Sequence, residues 1–538
     1  MAETPQEKVT ITASATVKGT VAAPPATLGI VDEHDNLVQR MLEQGWWVTT
    51  RRVSFPAHWL YEGEQRLDAG YYADEAFNAQ RIVKEGPFKS KPLSDVAPGP
   101  FYPGRFKRIY AKTEADGAPF LTPSQMMFFR PTSNVFLASR SEAFESTRTQ
   151  PGWILITRSG TVGRCVLVGE RLARFAITDD AIRVTATKVP SGYLYAYLTS
   201  WIGQSLLSKD QYGSAIKHLE PHHVASVPVP LLPEGIQQKL HEQIIEAYML
   251  RDAANALLDD AEAMLYSEVG LPAFDETMVP YLSSTSEPVG VPMQQLRAFT
   301  TKASELSERL DASYHVPIAR YIVELLRGAN YKPIPLAQMV EGIVIPPRFK
   351  RIYISAEHGV PFLRPSHLPQ MRPYDLGYIS KKTDVLDELL LNQGDVLLTT
   401  DGTVGRVSLV SKRIAGWAGS NNIARITIGP GTHRNGYLAA FLRSPYGYYQ
   451  VTKEIYGGVI DHIEVPHIAG VWVPDAPLEI QEEIGRRVVE AYEKKDLAGA
   501  IEQAAIRQIE SLLTKPIEGD IQPLPQQASF DLEEAARN

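Results

Sequence analysis

Hydrophobic residues fall on two different periods along this chain. In two stretches they recur by threes and fours: Ile236, Leu240, Ile244, Ala247, Ala254, Leu258, Ala261 and Leu265, and then Ile480, Ile484, Val488, Ala491, Ala498, Ile501, Ala505 and Leu512. That spacing places one apolar stripe along an α-helix. Pro233 and Pro477 stand just ahead of the stripes, where proline suits a helix start. Helices are predicted over 234–270 and 478–514, with seams of ~45 Å at ~1.5 Å per residue. A seam this narrow suits a partner helix better than a globular core, and each copy supplies what the other lacks. Packing of each helix on its own domain is the competing reading.

Elsewhere short runs of Val, Ile and Leu, broken by Gly and Pro, predict strands at 153–157 and 395–399. Paired glycines, 160 and 163 in one place and 402 and 405 in the other, turn them into 165–168 and 407–410. Further helices are predicted over 77–84, 193–209, 318–326 and 437–453, and extended Val/Pro runs over 227–231 and 471–473.

The second period is that of the chain itself. Arg105-Phe106-Lys107-Arg108-Ile109-Tyr110 returns unchanged as Arg348-Phe349-Lys350-Arg351-Ile352-Tyr353. Gly160-Thr161-Val162-Gly163-Arg164 returns as Gly402-Thr403-Val404-Gly405-Arg406, and Arg66-Leu67-Asp68-Ala69 as Arg309-Leu310-Asp311-Ala312. Matches in one order at offsets of 242–244 mean a single unit present twice. The expected organisation is an N-terminal extension over 1–65 (disordered over 1–26), an α+β domain over 66–233, the helix over 234–270 and a linker over 271–308. A second α+β domain follows over 309–477, then the helix over 478–514 and an acidic tail over 515–538.

Of 538 residues one is cysteine, Cys165, which excludes a disulfide framework and a cysteine-rich zinc module and fits a reducing cytoplasm. No apolar run is long enough to span a bilayer, so no membrane partner is expected. The net charge of −8 hides a partition. Residues 66–233 carry 20 Lys+Arg against 14 Asp+Glu and residues 309–477 carry 18 against 14, whereas 234–308 carry 4 against 13. Two basic blocks alternate with acidic ones, which permits a polyanion partner despite the acidic total.

Catalytic signatures are missing. There is no Gly-x-x-x-x-Gly-Lys-Ser/Thr phosphate loop and no Asn/Asp-Pro-Pro-aromatic signature of an amino-methyltransferase. His218, His222 and His223 cluster without other ligands at metal spacing, so no metal site is expected. Asp179-Asp180 resembles a nuclease carboxylate pair, but its counterpart is Asn421-Asn422. The chain reads as non-catalytic, with a cryptic DNA-acting enzyme and a protein scaffold without DNA contact as the alternatives.

Candidate DNA contacts come from three places. In extended backbone Phe106 and Arg108 share one face and Arg105, Lys107 and Ile109 the other, so the segment can bury some residues while presenting cations to phosphates; Tyr110 and Lys112 continue it, and Arg348, Lys350, Arg351 and Tyr353 repeat it. A solvated edge strand with protective lysines is the competing reading. The glycine turns contribute Arg158, Ser159, Thr161 and Arg164, and Thr400, Asp401, Thr403 and Arg406 in the second copy. Tyr212, Lys217 and His218, with Tyr456 and His462 opposite them, Arg364, and Asn421 and Asn422 complete the set. Arg, Asn and Asp can each bond to particular base edges, and the copies differ at Arg158/Thr400, Ser159/Asp401 and Lys217/Asp461.

With its duplicated Arg-Leu-Asp-Ala openings, the 394–399 strand followed by Gly402-Thr403-Val404-Gly405-Arg406, and the Pro477-Leu478-Glu479-Ile480-Gln481 helix start, the chain resembles the specificity (S) subunits of type I restriction–modification systems over about 66–513. The resemblance implies two target recognition domains in a pseudo-twofold arrangement, each gripping half of a bipartite site in double-stranded DNA. It implies that the two long helices pair antiparallel and set the gap between half-sites. It also implies two adenine-methylating modification subunits as partners, and restriction/translocase subunits recruited by them. S-adenosylmethionine, Mg2+ and ATP would then belong to those partners, with no cofactor in this chain.

Overall fold

The computed structural model describes residues 8–18, 46–56, 75–209, 218–275, 279–282, 298–306, 309–429 and 431–514. The expected acidic tail over 515–538, the first copy of the Arg-Leu-Asp-Ala opening, and Tyr212 and Lys217 lie outside the described residues. Two lobes of mixed helix and sheet are built on two long helices, an α+β fold.

The first lobe opens with α1 (Glu75–Glu85), whose Ala76, Ala79 and Val83 are buried. A three-stranded sheet sets Ile154–Thr157 between Cys165–Leu167 and Ala181–Val184, all antiparallel. The central strand is buried at all four positions, which is why it reads as a continuous apolar run rather than an alternation. A four-stranded sheet of Tyr110–Ala111, Phe136–Ala138, Gly117–Leu121 and Ala176–Ile177 encloses its own cluster of Ala118, Phe120, Leu137 and Ala176. Arg183 joins the two sheets: fully buried, it donates to the carbonyls of Ile177, Thr178 and Ala181. Burial lowers its pKa to about 10.

The helix predicted over 193–209 is two, α2 (Ser191–Thr199) and α3 (Trp201–Lys209). Ser200 caps the Gly203 amide at 3.2 Å, and a Cβ on Gly203 would stand 2.2 Å from the Tyr197 carbonyl oxygen. A serine three residues ahead of a glycine therefore marks a corner, not a continuous helix. After α4 (Glu234–Ser267) the second lobe repeats the plan with α5 (Pro317–Leu326), a sheet ordered Gly342–Val344, Ile423–Thr427, Val396–Thr399 and Val407–Leu409, and a smaller one of Gly377–Ser380, Gly359–Leu363 and Ala418–Gly419. Arg425, at the position of Arg183, donates instead to the Glu388 and Leu390 carbonyls. The helix predicted over 437–453 again splits, into α6 (Arg434–Arg443) and α7 (Pro445–Lys453), with Ser444 capping Gly447. The chain closes with α8 (Leu478–Leu513).

The disorder expected over 1–26 is corrected in part, because Lys8–Lys18 pairs antiparallel with Trp46–Pro56. Val9, Ile11, Ala13, Ala15 and Val17 alternate with threonine and serine, a period-2 pattern that composition alone conceals.

The two long helices serve each other and both lobes. Leu240, Ile244 and Tyr248 of α4 share the first lobe's core with Ala505, Ile506, Ile509 and Leu513 of α8. Ala254, Leu258, Ala261 and Leu265 share the second lobe's core with Ile484, Val488, Ala491 and Tyr492. Ile236 and Ile480, at the helix starts, are partly buried against the same cores. Ile501 and Leu512 were expected on the seam but are only half-buried; Glu502, Ile506, Ile509 and Leu513 occupy it instead. The stripe shifts because a carboxylate sits in it: Glu502 accepts from Arg251 of α4 at 2.6 Å and from the Tyr195 hydroxyl.

The lobes hold the helices through paired contacts. The Tyr248 hydroxyl accepts from the Leu167 amide, and Asp252 from the Glu170 amide, both at 2.9 Å. In the second copy Tyr492 bonds Ser408 and Asp496 accepts from the Arg413 amide. The lobes also touch directly. The Phe129 amide donates to the Pro369 carbonyl at 2.8 Å and the Met371 amide to the Met127 carbonyl at 2.9 Å. At the sequence offset of 242 these are the same contact read in both directions.

Breaking the Arg251–Glu502 pair from one side, as in Glu502→Ala, should cost about 3–5 kcal/mol because a buried guanidinium is left bare. The double replacement Arg251→Met with Glu502→Leu should recover most of that loss. Burial would raise the Glu502 carboxyl, but Arg251 and Arg372 outweigh it and hold it at about 2. A depressed carboxylate stabilises the fold at neutral pH, and the contribution should fade as pH drops from ~4.3, its unfolded value, towards about 2. Denaturant unfolding of wild type and variants at pH 7 and pH 3 measures both effects.

Candidate nucleic-acid interface

The glycine turns are built alike. The Thr157 hydroxyl donates to the Thr161 carbonyl and accepts from the Arg164 amide at 2.9 Å, and the Gly163 amide donates to the Thr157 carbonyl at 2.9 Å. Thr399 makes the same three bonds to Thr403, Arg406 and Gly405. Gly160, Gly163, Gly402 and Gly405 all have φ between 71° and 90°, the left-handed region that glycine favours. The tight loop leaves Thr161 and Thr403 exposed at its tip, and Ser159 half-exposed, bridged to His218.

Beside each turn runs the cationic segment. Arg108 lies over the Phe120 ring at 5.2 Å and bonds Asp179 at 2.6 Å. Arg351 lies over Phe362 at 5.5 Å and bonds the amide oxygen of Asn421 at 3.0 Å. Phe349 packs edge-on against Phe362, and Phe106 against the corresponding first-lobe cluster. The phenylalanine and the second arginine thus share the inward face, as the alternation predicts. Arg105, Lys107 and Lys112, and Arg348 and Lys350, are exposed and have no ion-pair partner among the described residues. Tyr110 is half-buried and Tyr353 is 52% exposed. The exchange of Asp179 for Asn421 preserves the arginine's acceptor but not its charge balance: Arg108 is neutralised and Arg351 is not.

In the second lobe a hairpin completes the face. The Tyr456 and His462 backbones exchange hydrogen bonds at 3.0 and 2.8 Å. His462 is clasped to Asp401, the Gly402 amide donates to the Asp461 carbonyl, and the Tyr456 hydroxyl donates to Glu464 at 2.7 Å. At its tip Val459 is 99% exposed and Ile460 54%. These two residues were missed from sequence. The signal was Gly457-Gly458 ahead of them, which marks a turn whose apolar residues cannot be core.

Several expected contacts turn inward. Thr400 is fully buried, its amide spent on the Asn422 carbonyl. Arg158 bonds Glu220 and Asp180 and stacks on Tyr102 at 4.6 Å. Arg364 bonds Asp375, which also holds His367. Arg164 faces Tyr374 of the second lobe at 5.1 Å, and Arg406 faces Phe128 of the first at 5.8 Å. Burial lowers the pKa of both guanidinium groups. These arginines line the junction between lobes, and their neighbours come from the other copy.

The acids and histidines have structural work. Asp179 and Asp180 are guanidinium partners, and Asn421 bonds Asn422 at 2.6 Å in their place. The rings of His223 and His467 accept the Glu220 and Glu464 amides, closing short-helix caps.

No family model matches the chain, and no curated protein matches its sequence. Among solved structures the chain resembles type I restriction–modification specificity subunits. The S subunit from M. genitalium is 10% identical, with a TM-score of 0.34 over 80% of this chain and 95% of that one. The HsdS subunit from Thermoanaerobacter tengcongensis is 12% identical, with a TM-score of 0.25 over 79% of this chain and 96% of that one. A chain from a type I system described for its complex assembly and conformational transition is 13% identical, with a TM-score of 0.26 over 80% and 97%.

Thr399→Val should remove the hydroxyl that organises the second turn and leave the Arg406 amide unpaired. The expected loss is about 1–3 kcal/mol of stability, read by denaturant unfolding, with Thr403→Ala at the exposed tip costing much less.

Proposed function

We propose that this chain is the non-catalytic, DNA-reading subunit of a type I restriction–modification complex, with one lobe on each half of a bipartite site in double-stranded DNA. The carrying observation is the duplicated exposed cationic edge, Arg105 and Lys107 in one lobe and Arg348 and Lys350 in the other, each beside a rigid glycine turn. Exposed cations at a fixed edge suit phosphate contact, which positions a protein on a duplex. The neighbouring turn tips and the Val459-Ile460 hairpin are the groups that would meet base edges, the apolar pair suiting thymine methyl groups or an unstacked step.

Two half-sites need a fixed separation. In this reading α4 and α8 run antiparallel as a strut, with the lobes related by a local twofold. Support comes from the first half of α4 sharing a core with the last part of α8, and the reverse at the other end. The reciprocal bonds between 127–129 and 369–371 add a second constraint on the gap. Outward faces of the strut would hold two adenine-methylating modification subunits, and through them restriction/translocase subunits. S-adenosylmethionine, Mg2+ and ATP would act in those partners.

Arg348→Glu with Lys350→Glu should weaken binding to DNA bearing the second half-site and reduce the slope of log affinity against log salt by about one for each phosphate no longer neutralised. Both side chains are exposed, so unfolding should be unaffected. Unchanged DNA affinity would leave a protein scaffold as the surviving account.

The Asp179/Asn421 exchange makes a finer prediction. Asp179→Asn should free the charge of Arg108 and steepen the salt dependence of the first lobe's binding, whereas Asn421→Asp should flatten that of the second. Titrations of half-site duplexes at several salt concentrations read both.

A further inference from the structure

His462 stands at the foot of the hairpin that exposes Val459 and Ile460, and the backbone on either side of it is stitched to the second glycine turn. The Gly402 amide donates to the Asp461 carbonyl and the Ile463 amide to the Thr400 carbonyl, both at 3.0 Å. The ring is held as well. Its Nδ1 bonds the Asp401 carboxylate, whose other oxygen accepts from the Thr400 hydroxyl at 2.8 Å. Nε2, by contrast, makes no hydrogen bond among the described residues and is not buried, the side chain being 28% exposed.

A carboxylate only accepts, so the proton between the two side chains belongs to Nδ1. In the neutral ring the other nitrogen is then an acceptor, its state fixed by the partner of the first. Asp401, with both oxygens engaged, is poorly placed to take a base amine itself and passes that capacity outward through the ring. The first lobe lacks this device: Ser159 replaces Asp401, bridged to His218 in the same way. A hydroxyl donates as readily as it accepts and imposes neither tautomer.

We propose that His462 is a base-reading residue of the second lobe, that Asp401 positions it with Nε2 as an acceptor, and that its target is the exocyclic amine of cytosine or adenine in the major groove. Those amines are the donors that base edges offer there, whereas guanine and thymine present acceptors and are refused. The Tyr456 hydroxyl on the same hairpin lies within electrostatic reach of both Asp401 and Arg348. The exposed cation suited to a phosphate and the reader therefore stand side by side. This inference rests on the DNA-reading assignment and adds which residue reads which chemical group.

The test selects randomised duplexes with the full chain at about pH 8.5, above the ~6.5 of an ordinary imidazole. His462→Ala should erase the preference at one position of the second half-site and keep the others. In a fixed duplex, an analogue lacking only the exocyclic amine at that position should weaken wild type about two- to tenfold, the worth of one neutral hydrogen bond. The same analogue should cost the His462→Ala chain nothing. Asp401→Asn should reverse the preference there: Thr400 keeps the amide oxygen, the amide NH2 donates to Nδ1, and the proton moves to Nε2. That reversal keeps the test decisive if His462→Ala does not fold, and no merely structural role for Asp401 would produce it. An analogue that costs His462→Ala as much as wild type, or a His462→Ala loss spread evenly over all positions, overturns the assignment. An Asp401→Asn chain with the wild-type preference overturns it too. A wild-type chain that selects no sequence would instead sink the DNA-reading assignment, and this inference with it.

Discussion

Near the middle of α4, Arg251 reaches across the seam to Glu502 of α8, and both side chains are almost wholly buried. A buried pair of this kind adds little net stability, because desolvation of two charges consumes most of the attraction. Its larger effect is on register. Sliding one helix along the other by a turn would bare two charges in a low-dielectric core, while the alanines and leucines around them would tolerate many alignments. Since each helix contributes to both lobes' cores, the alignment of α4 against α8 also sets how the lobes face one another. The Tyr195 hydroxyl on the same carboxylate extends that control into the first lobe.

Around this constraint the two copies keep their joints and vary their surfaces. Thr157 and Thr399 staple the same turn, and Tyr248 and Tyr492 anchor the same strand to a helix. What differs lies at the rim: Asp179 against Asn421 and Ser159 against Asp401. Substitutions at exposed positions cost little in stability, so such a frame can change what it contacts without refolding. The exchange of an acid for an amide under an arginine is the economical case, since the hydrogen bond stays and only the field changes.

The duplication, the α+β plan and both long helices were legible in the sequence, because prolines mark the helix starts and the stripes hold their period. The breaks at Ser200 and Ser444 were not, since a helix-forming apolar run outweighs a small residue unless the close approach at Gly203 and Gly447 is known. The seam was misread at Ile501 because an apolar pattern discounts a glutamate, and only Arg251 on another helix makes Glu502 an inside residue. At the candidate interface the alternation within 105–108 and 348–351 puts Arg108 and Arg351 on the face of the phenylalanine, against the Phe120 and Phe362 rings. Arg164 and Arg406 were read as outward because the aromatic rings they meet, Tyr374 and Phe128, belong to the other copy. Contacts between repeats leave no trace in the spacing within one.

The charge partition also takes on a different meaning. An acidic helix pair between basic lobes suggests a strut that repels DNA, yet much of that acidity is directed inward. Asp259 takes Arg130 and Arg171, Glu262 takes Arg130, and Asp252 and Asp496 cap lobe amides. The helices therefore neutralise the arginines that dock the lobes onto them. Arg130, Arg171 and Arg251 are matched by helix carboxylates, while Arg105, Lys107, Arg348 and Lys350 on the outer edges have no ion-pair partner among the described residues. A polyanion sees mainly those unmatched cations, because fields of paired charges cancel within a few ångströms and salt screens the remainder over about 8–10 Å. The net charge of −8 thus describes the chain without describing the charge of its outer edges.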